Sequence, residues 1–466
     1  MAEAKHPKTL DSASRQSLMA RINKAGQAPT RPSALESAGD IQTPGFDQLP
    51  EFENLRMQKS VAESFAITLP FYRLHEARAG VRTSVDGQTL LNFTSYDYLG
   101  LNGHPEITAA VAEAADRWGT SVSASRLTSG ERPFHRQLEQ ELAQVYEAQE
   151  ALVFVSGHAT NVAVISTLLG SEDLIVHDAL AHNSIICGAE MSGAHRRPFA
   201  HNDMDALEAL LASSRSRSRN CLIVTEGLFS MDGDGPDLAR LVEIKRRYGA
   251  WLMVDEAHSL GVLGRTGRGL AEHAGIDPKH VDIWMGTLSK TLVSCGGYVA
   301  GPSDMIDYLK YRAPGMVYSV GISAPQAVAS LTALDIMLCE PERVASLQAN
   351  GRRFRDRMEQ LGHDVGESWG FAVTPTIVGD SLRTALMADR LFSRGIAVVP
   401  VIPPGVPEQS ARLRFFISAG HDAADIEQVC AAVTEVHAEL QQANVSLASV
   451  AQDLIRARSM LREGSE

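Results

Sequence analysis

The chain has 466 residues, 44% of them hydrophobic, enough to bury a large core and to divide into more than one domain. A formal net charge of -13 argues against a nucleic-acid surface, which needs basic patches. Five scattered cysteines (Cys187, Cys221, Cys295, Cys339, Cys430) show no C-x-x-C and no metal spacing, and there is neither a signal-peptide pattern nor a long apolar run. The expectation is a soluble cytoplasmic protein with reduced thiols, no metal and no membrane span.

Residues 1–50 are polar and rich in Ser, Ala, Pro and Gln, and read as a mobile N-terminal extension. From Glu51 to about Phe65, Phe52, Leu55, Val61 and Phe65 have helical spacing, which predicts a docking helix. LPFYRLHEARAG and VRTSVDGQTLLNF read as short strands around an Asp86-Gly87 turn. TSYDYLGL reads as a loop. Helices are expected from His104-Pro105 to about Trp118 and over Phe134–Tyr146, joined by the glycine- and serine-rich Gly119–Gly130.

Between Ala151 and Gly301 strands and helices alternate, which predicts a mostly parallel α/β sheet with ligands at the strand C-termini. ALVFVSG leads into a helix through Ser156-Gly157-His158, whose first amides could hold a phosphate. LIVHD and CLIVTEGLFSMDGD are further strands, the second ending in Glu226, Ser230 and Asp232. Ser213–Arg219, SSRSRSR, reads as a solvated loop. Long helices (Ser323–Cys339, Pro341–Gln360) follow, then short strands near Phe371–Val378, Ala397–Ile402 and Leu413–Ile417 and a helix from Asp422 to about Gln442.

Two segments carry the chemistry. In WMGTLSKTLVSCGGYVA, Lys290 lies between apolar runs, which places it at a strand end in a cleft. A desolvated lysine has a lowered pKa and becomes the nucleophilic amine that an imine with a carbonyl cofactor requires. In LMVDEAHSL, a short apolar strand delivers Asp255, Glu256 and His258, and a carboxylate at such a strand end can hold a protonated pyridine nitrogen. Together they suggest pyridoxal phosphate on Lys290 with Asp255 beneath its ring.

NFTSYDYLGL, SASRLTSGERPFHRQLE, FVSGHATN, HDALAHNS, VTEGLFSMDGD, VDEAHSLGVLG, GTLSKTLVSCGGY and RLRFFISAGH, in this order, resemble the signatures of the α-oxoamine synthases, pyridoxal-phosphate enzymes of fold type I. The resemblance spans about Phe71 to Leu440. It implies a seven-stranded-type central sheet and a smaller α/β C-terminal domain, with a segment 51–115 of docking helix and small strands, a large cofactor domain over 116–315, a small domain over 316–442 and a tail over 443–466. It makes Lys290 the Schiff-base lysine, Asp255 the partner of the pyridine nitrogen, His258 a hydrogen-bond partner of the ring oxygen and His182 the residue on the ring face. Thr287 with the Gly157 and His158 amides would hold the phosphate, and Glu226 and Ser230 would line the ring. Arg414 would bind the amino-acid carboxylate bidentately, with Tyr96 beside the substrate and Arg412 structural.

The implied reaction is a decarboxylative condensation of a small amino acid (serine first, alanine or glycine next) with an acyl thioester of coenzyme A or an acyl carrier protein, run by a homodimer. An aminotransferase or decarboxylase of the same fold, or a silent partner subunit, are the alternatives. The sequence departs from the family at His158, at Tyr96 (Asn in several members) and at Val320-Gly321, where a phosphate-touching hydroxyl is expected and Ser319 or Ser323 could substitute. S-Y-D-Y-L-G and D-E-A-H-S lean toward the serine palmitoyltransferase branch and polyketide-associated synthases.

Overall fold

The computed structural model describes residues 44–65, 67, 68 and 70–449; most of the 1–50 extension and of the 443–466 tail lies outside them. The chain divides into two compact units. The larger comprises His75–Thr376 and Arg414–Cys430, and the smaller comprises the chain up to Leu74, Ile377–Leu413 and the chain from Ala431.

The larger unit is built on seven strands: β3 (Glu150–Phe154), β4 (Leu174–Asp178), β5 (His195–Phe199), β6 (Cys221–Glu226), β7 (Trp251–Asp255), β8 (Ile283–Thr287) and β9 (Gly297–Gly301), after the hairpin β1 (Arg82–Val85) and β2 (Gln88–Asn92). Their order is β3-β9-β8-β7-β6-β4-β5. Strand β9 alone runs against its neighbours β3 and β8, and the other pairs are parallel. The mostly parallel seven-stranded sheet expected from the sequence is present. Runs such as Leu174–Val176 and Leu222–Val224 are buried throughout, as strands covered on both faces require. Phe154, Ile175, Leu222, Met253, Met285 and Val299 of the sheet pack with Val164, Ile185, Ile306 and Leu309 from three helices.

The local signals explain the boundaries. Asp86 (φ 52) and Gly87 (φ 72) are both left-handed, so the β1–β2 turn is of the primed type that matches strand twist. Helix Leu238–Tyr248 opens on Asp237, which accepts from the Arg240 amide at 3.0 Å, and closes on left-handed Gly249 behind Lys245, Arg246 and Arg247. Helices Ala324–Cys339, Pro341–Gln360 and Ala423–Gln442 lie within a residue of their expected positions.

One expectation is corrected. Residues 70–80 form no strand: Tyr72 is left-handed (φ 58), which breaks an extended run, and the pairing starts only at Arg82. Ser213–Arg219 is exposed or half-exposed, as expected, and two of its arginines are tied down. Arg215 donates to the carbonyls of Tyr248 (2.9 Å) and Gly249 (3.1 Å), the unsatisfied end of helix Leu238–Tyr248, and Arg219 pairs with Asp173 at 2.9 Å.

The smaller unit contains helices Pro50–Ser64 and Ser381–Ser393 and short strands Ile396–Ala397 and Val399–Val401. Ala62, Ile67 and Leu382 bury each other with Phe65, Leu386 and Val445 around them, and Arg73 lies 3.8 Å over the Phe392 ring. No helix among the described residues is long and apolar enough to cross a membrane.

Candidate active site

The C-terminal ends of three adjacent strands supply the centre, all within the larger unit. Glu226 ends β6 opposite Asp255, which ends β7 opposite Met285 of β8; Lys290 follows in the turn after Thr287. Burial pulls the Lys290 amine down to about 8, partly opposed by Asp255 and Glu226. Burial, then the Asp255 charge, pushes the Glu226 carboxyl up to about 8, so it is mostly protonated at neutral pH.

The Lys290 turn is held from several sides. Thr291 Oγ1 donates to Leu260 O (2.7 Å), Ser294 Oγ to Gln326 O (2.7 Å), and the Val293 amide to Lys290 O (2.9 Å). Val293 is left-handed (φ 42), a strained state for a β-branched residue. Val293→Gly should relieve about 1–2 kcal/mol of strain, offset by about 0.4–1 kcal/mol of added chain entropy. The expected outcome is a higher thermal midpoint; an unchanged or lower one means the turn is not strained.

Asp255 is fixed by two donors, Asn161 Nδ2 on Oδ2 (2.8 Å) and the Ala257 amide on Oδ1 (2.9 Å). Asn161 also donates to Ser184 Oγ (2.9 Å), which lies 2.7 Å from His182 Nδ1; the Ser184 amide points at the same nitrogen at 3.2 Å. His182 Nδ1 is therefore an acceptor and the ring proton sits on Nε2. The His182 amide donates to Glu226 Oε1 at 2.7 Å, so one chain of hydrogen bonds connects His182, Asp255 and Glu226.

His258 is buried, its Nδ1 2.7 Å from Tyr98 Oη. Burial holds the Tyr98 phenol far above its usual range and the imidazole well below its own, so a neutral phenol donates to Nδ1 and leaves Nε2–H as a donor. Tyr96 lies beside it, its ring centroid 6.1 Å from that of His258 and 5.7 Å from Lys290 Nζ. Arg414 crosses the Phe416 ring at 4.7 Å and donates to Ser230 O and Met231 Sδ, both at 3.2 Å, while its buried Nε has no partner among the described residues. The structure thus brings the Ser230 carbonyl, and not its hydroxyl, to Arg414.

A candidate anion cradle lies at the start of helix Gly157–Leu168. Ser156 Oγ accepts from the Ala159 amide (3.3 Å), leaving the Gly157 and His158 amides free among the described residues. Beside them Thr287 Oγ1 bonds Gly296 O and Ser289 Oγ, each at 3.0 Å. There is no room for side chains: a Cβ on Gly157 would meet Thr287 Oγ1 at 2.8 Å, and one on Gly297 would meet Gly157 Cα at 2.6 Å. Gly297→Ala should weaken retention of the phosphate by roughly ten-fold or more, because it must displace a main chain that supplies two donors; unchanged retention by equilibrium dialysis would contradict this. Ser323 is occupied in its own helix cap with Gln326 (3.2 Å), and Ser319 Oγ donates to Val320 O (3.3 Å).

Asn161, Ser184 and Tyr98 went unassigned in the sequence although they lie inside the quoted motifs. Their one signal is spacing: Asn161 is one helical turn past Gly157, on the same face.

A buried amine, a strand-end carboxylate, a buried imidazole N–H donor and an anion cradle on one mostly parallel sheet define a pyridoxal-phosphate transferase of fold type I, and the residues present fit that cofactor. Residues 88–433 match the aminotransferase class I and II family. Over 364 residues the chain is 43% identical to a putative 8-amino-7-oxononanoate synthase of Gloeobacter violaceus, covering 78% of this chain and 92% of that one. It is 39% identical over 359 residues to the 8-amino-7-oxononanoate synthase of Symbiobacterium thermophilum (77% and 91%). A serine palmitoyltransferase of S. paucimobilis with bound PLP and myriocin superposes with a TM-score of 0.80 at 27% identity, covering 84% and 98%. The chain belongs to the aminotransferase class I and II family and, within it, to the α-oxoamine synthases, PLP-dependent acyltransferases.

Proposed function

We propose that the chain condenses a small L-amino acid with an acyl thioester, releasing carbon dioxide and a free thiol and leaving an α-aminoketone. The observation that carries this reading is the buried Lys290 amine, poised at about 8 beside Asp255 and Glu226. When bound, pyridoxal phosphate supplies the electron-withdrawing ring that lets the amino acid's Cα lose a proton.

The residues divide the remaining tasks. Gly157 and His158 amides with Thr287 grip the phosphate. Asp255, locked by Asn161 and Ala257, would hold the ring nitrogen and favour its protonated form. His258 Nε2–H would donate to the ring oxygen, His182 would cover a ring face and Glu226 would line the ring. Arg414 binds the substrate carboxylate with its planar fork until that group leaves as carbon dioxide, and Tyr96 packs beside the substrate. Lys290 would take the Cα proton; the electron pair left on Cα attacks the thioester carbonyl and the C–S bond breaks, the thiolate taking a proton from solvent, and when the carboxylate leaves as carbon dioxide the Lys290 ammonium returns its proton to Cα.

The amino acid is the finer question. In the product name borne by the relatives at 38–43% identity, carbon 8 carries the amine and carbon 9 is the methyl on it, together an alanine without its carboxylate. Serine, first in the sequence reading, is favoured by the fold neighbours named serine palmitoyltransferase. Alanine is our first choice and serine the second. Incubating the holoenzyme with an acyl-CoA and glycine, L-alanine or L-serine separately should give thiol release with one of them. Release with none, accompanied by a transfer of the amino group to the cofactor, would move the reading to an aminotransferase. A carrier-protein donor predicts faster turnover of the carrier thioester than of the CoA thioester with the same acyl chain.

We further propose a cytoplasmic homodimer, supported by five free cysteines and by large side chains left open on the larger unit, among them Tyr318 (87% exposed) and Tyr311 (68%).

A further inference from the structure

One buried charge cluster has no place in that scheme. After Phe199 ends β5, the chain turns through left-handed Asn202 (φ 52) and sets the His201 ring between two aspartates. Nδ1 is 2.8 Å from Asp178 Oδ1 and Nε2 is 2.9 Å from Asp234 Oδ2. Asn202 reinforces both sides: its amide donates to Asp178 Oδ2 and its Nδ2 to Asp234 Oδ2, each at 2.8 Å. The aspartates are 0% and 5% exposed, and Phe229 packs edge-on against the imidazole at 4.5 Å. A neutral imidazole has one N–H and can serve one carboxylate; serving both requires the imidazolium. Burial alone would lower this histidine's pKa, but the two carboxylates win and push it up to about 10.

Each aspartate is the root of an active-site loop. Asp178 ends β4, accepts from the Leu180 amide at 2.8 Å and lies four residues before His182. Asp234 closes the loop after β6, where the Phe229 amide donates to Asp234 O (2.8 Å) and the Gly233 amide to Phe229 O (2.9 Å); the tip of that loop, Ser230 and Met231, receives the Arg414 guanidinium.

We propose that His201 is a positioning residue, a standing cation that ties the loop carrying His182 to the loop that seats Arg414 and so sets where the amino-acid carboxylate is gripped. It touches neither substrate nor cofactor. The proposal rests on the reading of Arg414 as the carboxylate binder.

The test uses the holoenzyme, wild type and His201→Gln, which is neutral and carries both N–H donors on one nitrogen, so it cannot span the two carboxylates as the two ring nitrogens do. Binding of L-alanine, L-serine and their methyl esters is read from the cofactor absorbance, beside retention of the cofactor. The free acids should bind the variant roughly ten-fold more weakly or worse, while the esters, which lack the carboxylate charge, and the cofactor change by less than about two-fold. Equal weakening of acid and ester, or no weakening, overturns the proposal. A wild-type enzyme that does not distinguish acid from ester overturns the role of Arg414 itself. Should His201→Gln not fold, Asp234→Asn replaces it with the same expected split. Independently, nitrogen NMR of wild type at about pH 8.5 should show two ring N–H groups on His201, and a single one would remove the standing cation.

Discussion

Replacing Lys290 with alanine should reduce turnover by roughly 10⁴-fold or more, because the proposed mechanism asks one side chain to be both the covalent anchor and the Cα base. Binding of the phosphate should survive, since its donors lie on the Gly157 helix start and Thr287. The pH dependence follows from the depressed amine. With its half-point at about 8, a tenth of Lys290 is free base at about pH 7, against about one part in three thousand for an unperturbed lysine. Capture of added cofactor by the apoenzyme should therefore rise ten-fold per pH unit below about 8 and level off above it. A rise that continues to about pH 10 would mean the amine is not desolvated.

Asp255→Asn should lower kcat by roughly 10²–10³-fold with little change in fold. Both carboxylate oxygens accept from N–H donors, Asn161 on one and Ala257 on the other. An amide has one acceptor oxygen, so its NH₂ must either confront one of those donors or turn its hydrogens toward the ring nitrogen and disfavour protonation there. A shift in the cofactor's absorbance without loss of bound cofactor is the expected companion. Full activity in Asp255→Asn would remove this residue from the electron sink.

The catalytic frame was legible in the sequence because strand-end chemistry is local. Apolar runs ending in Asp255 and Glu226, and Lys290 between two such runs, carry both fold and chemistry within a few residues of each other. The supporting residues were not legible, because their partners are remote. Asn161 reaches Asp255 across 94 positions and Tyr98 reaches His258 across 160, and no periodicity links a hydrogen bond of that span. His201 is hidden for the same reason, its meaning residing in aspartates 23 and 33 residues away. The bonds of Arg215 are hidden in the same way: the serine-arginine run is solvated, and the carbonyls its arginine reaches belong to a distant helix end. Over 70–80 the pattern looked extended, and one left-handed tyrosine decided otherwise.

The central claim is that loss of the amino-acid carboxylate is tied to acyl transfer. The measurement is release of labelled carbon dioxide from carboxyl-labelled alanine or serine by the holoenzyme, with and without an acyl thioester, beside release of the thiol. The account predicts carbon dioxide and thiol in equal amounts, and neither without the thioester. Carbon dioxide released without thioester, or label retained in an oxo acid while the thioester stays intact, would contradict it.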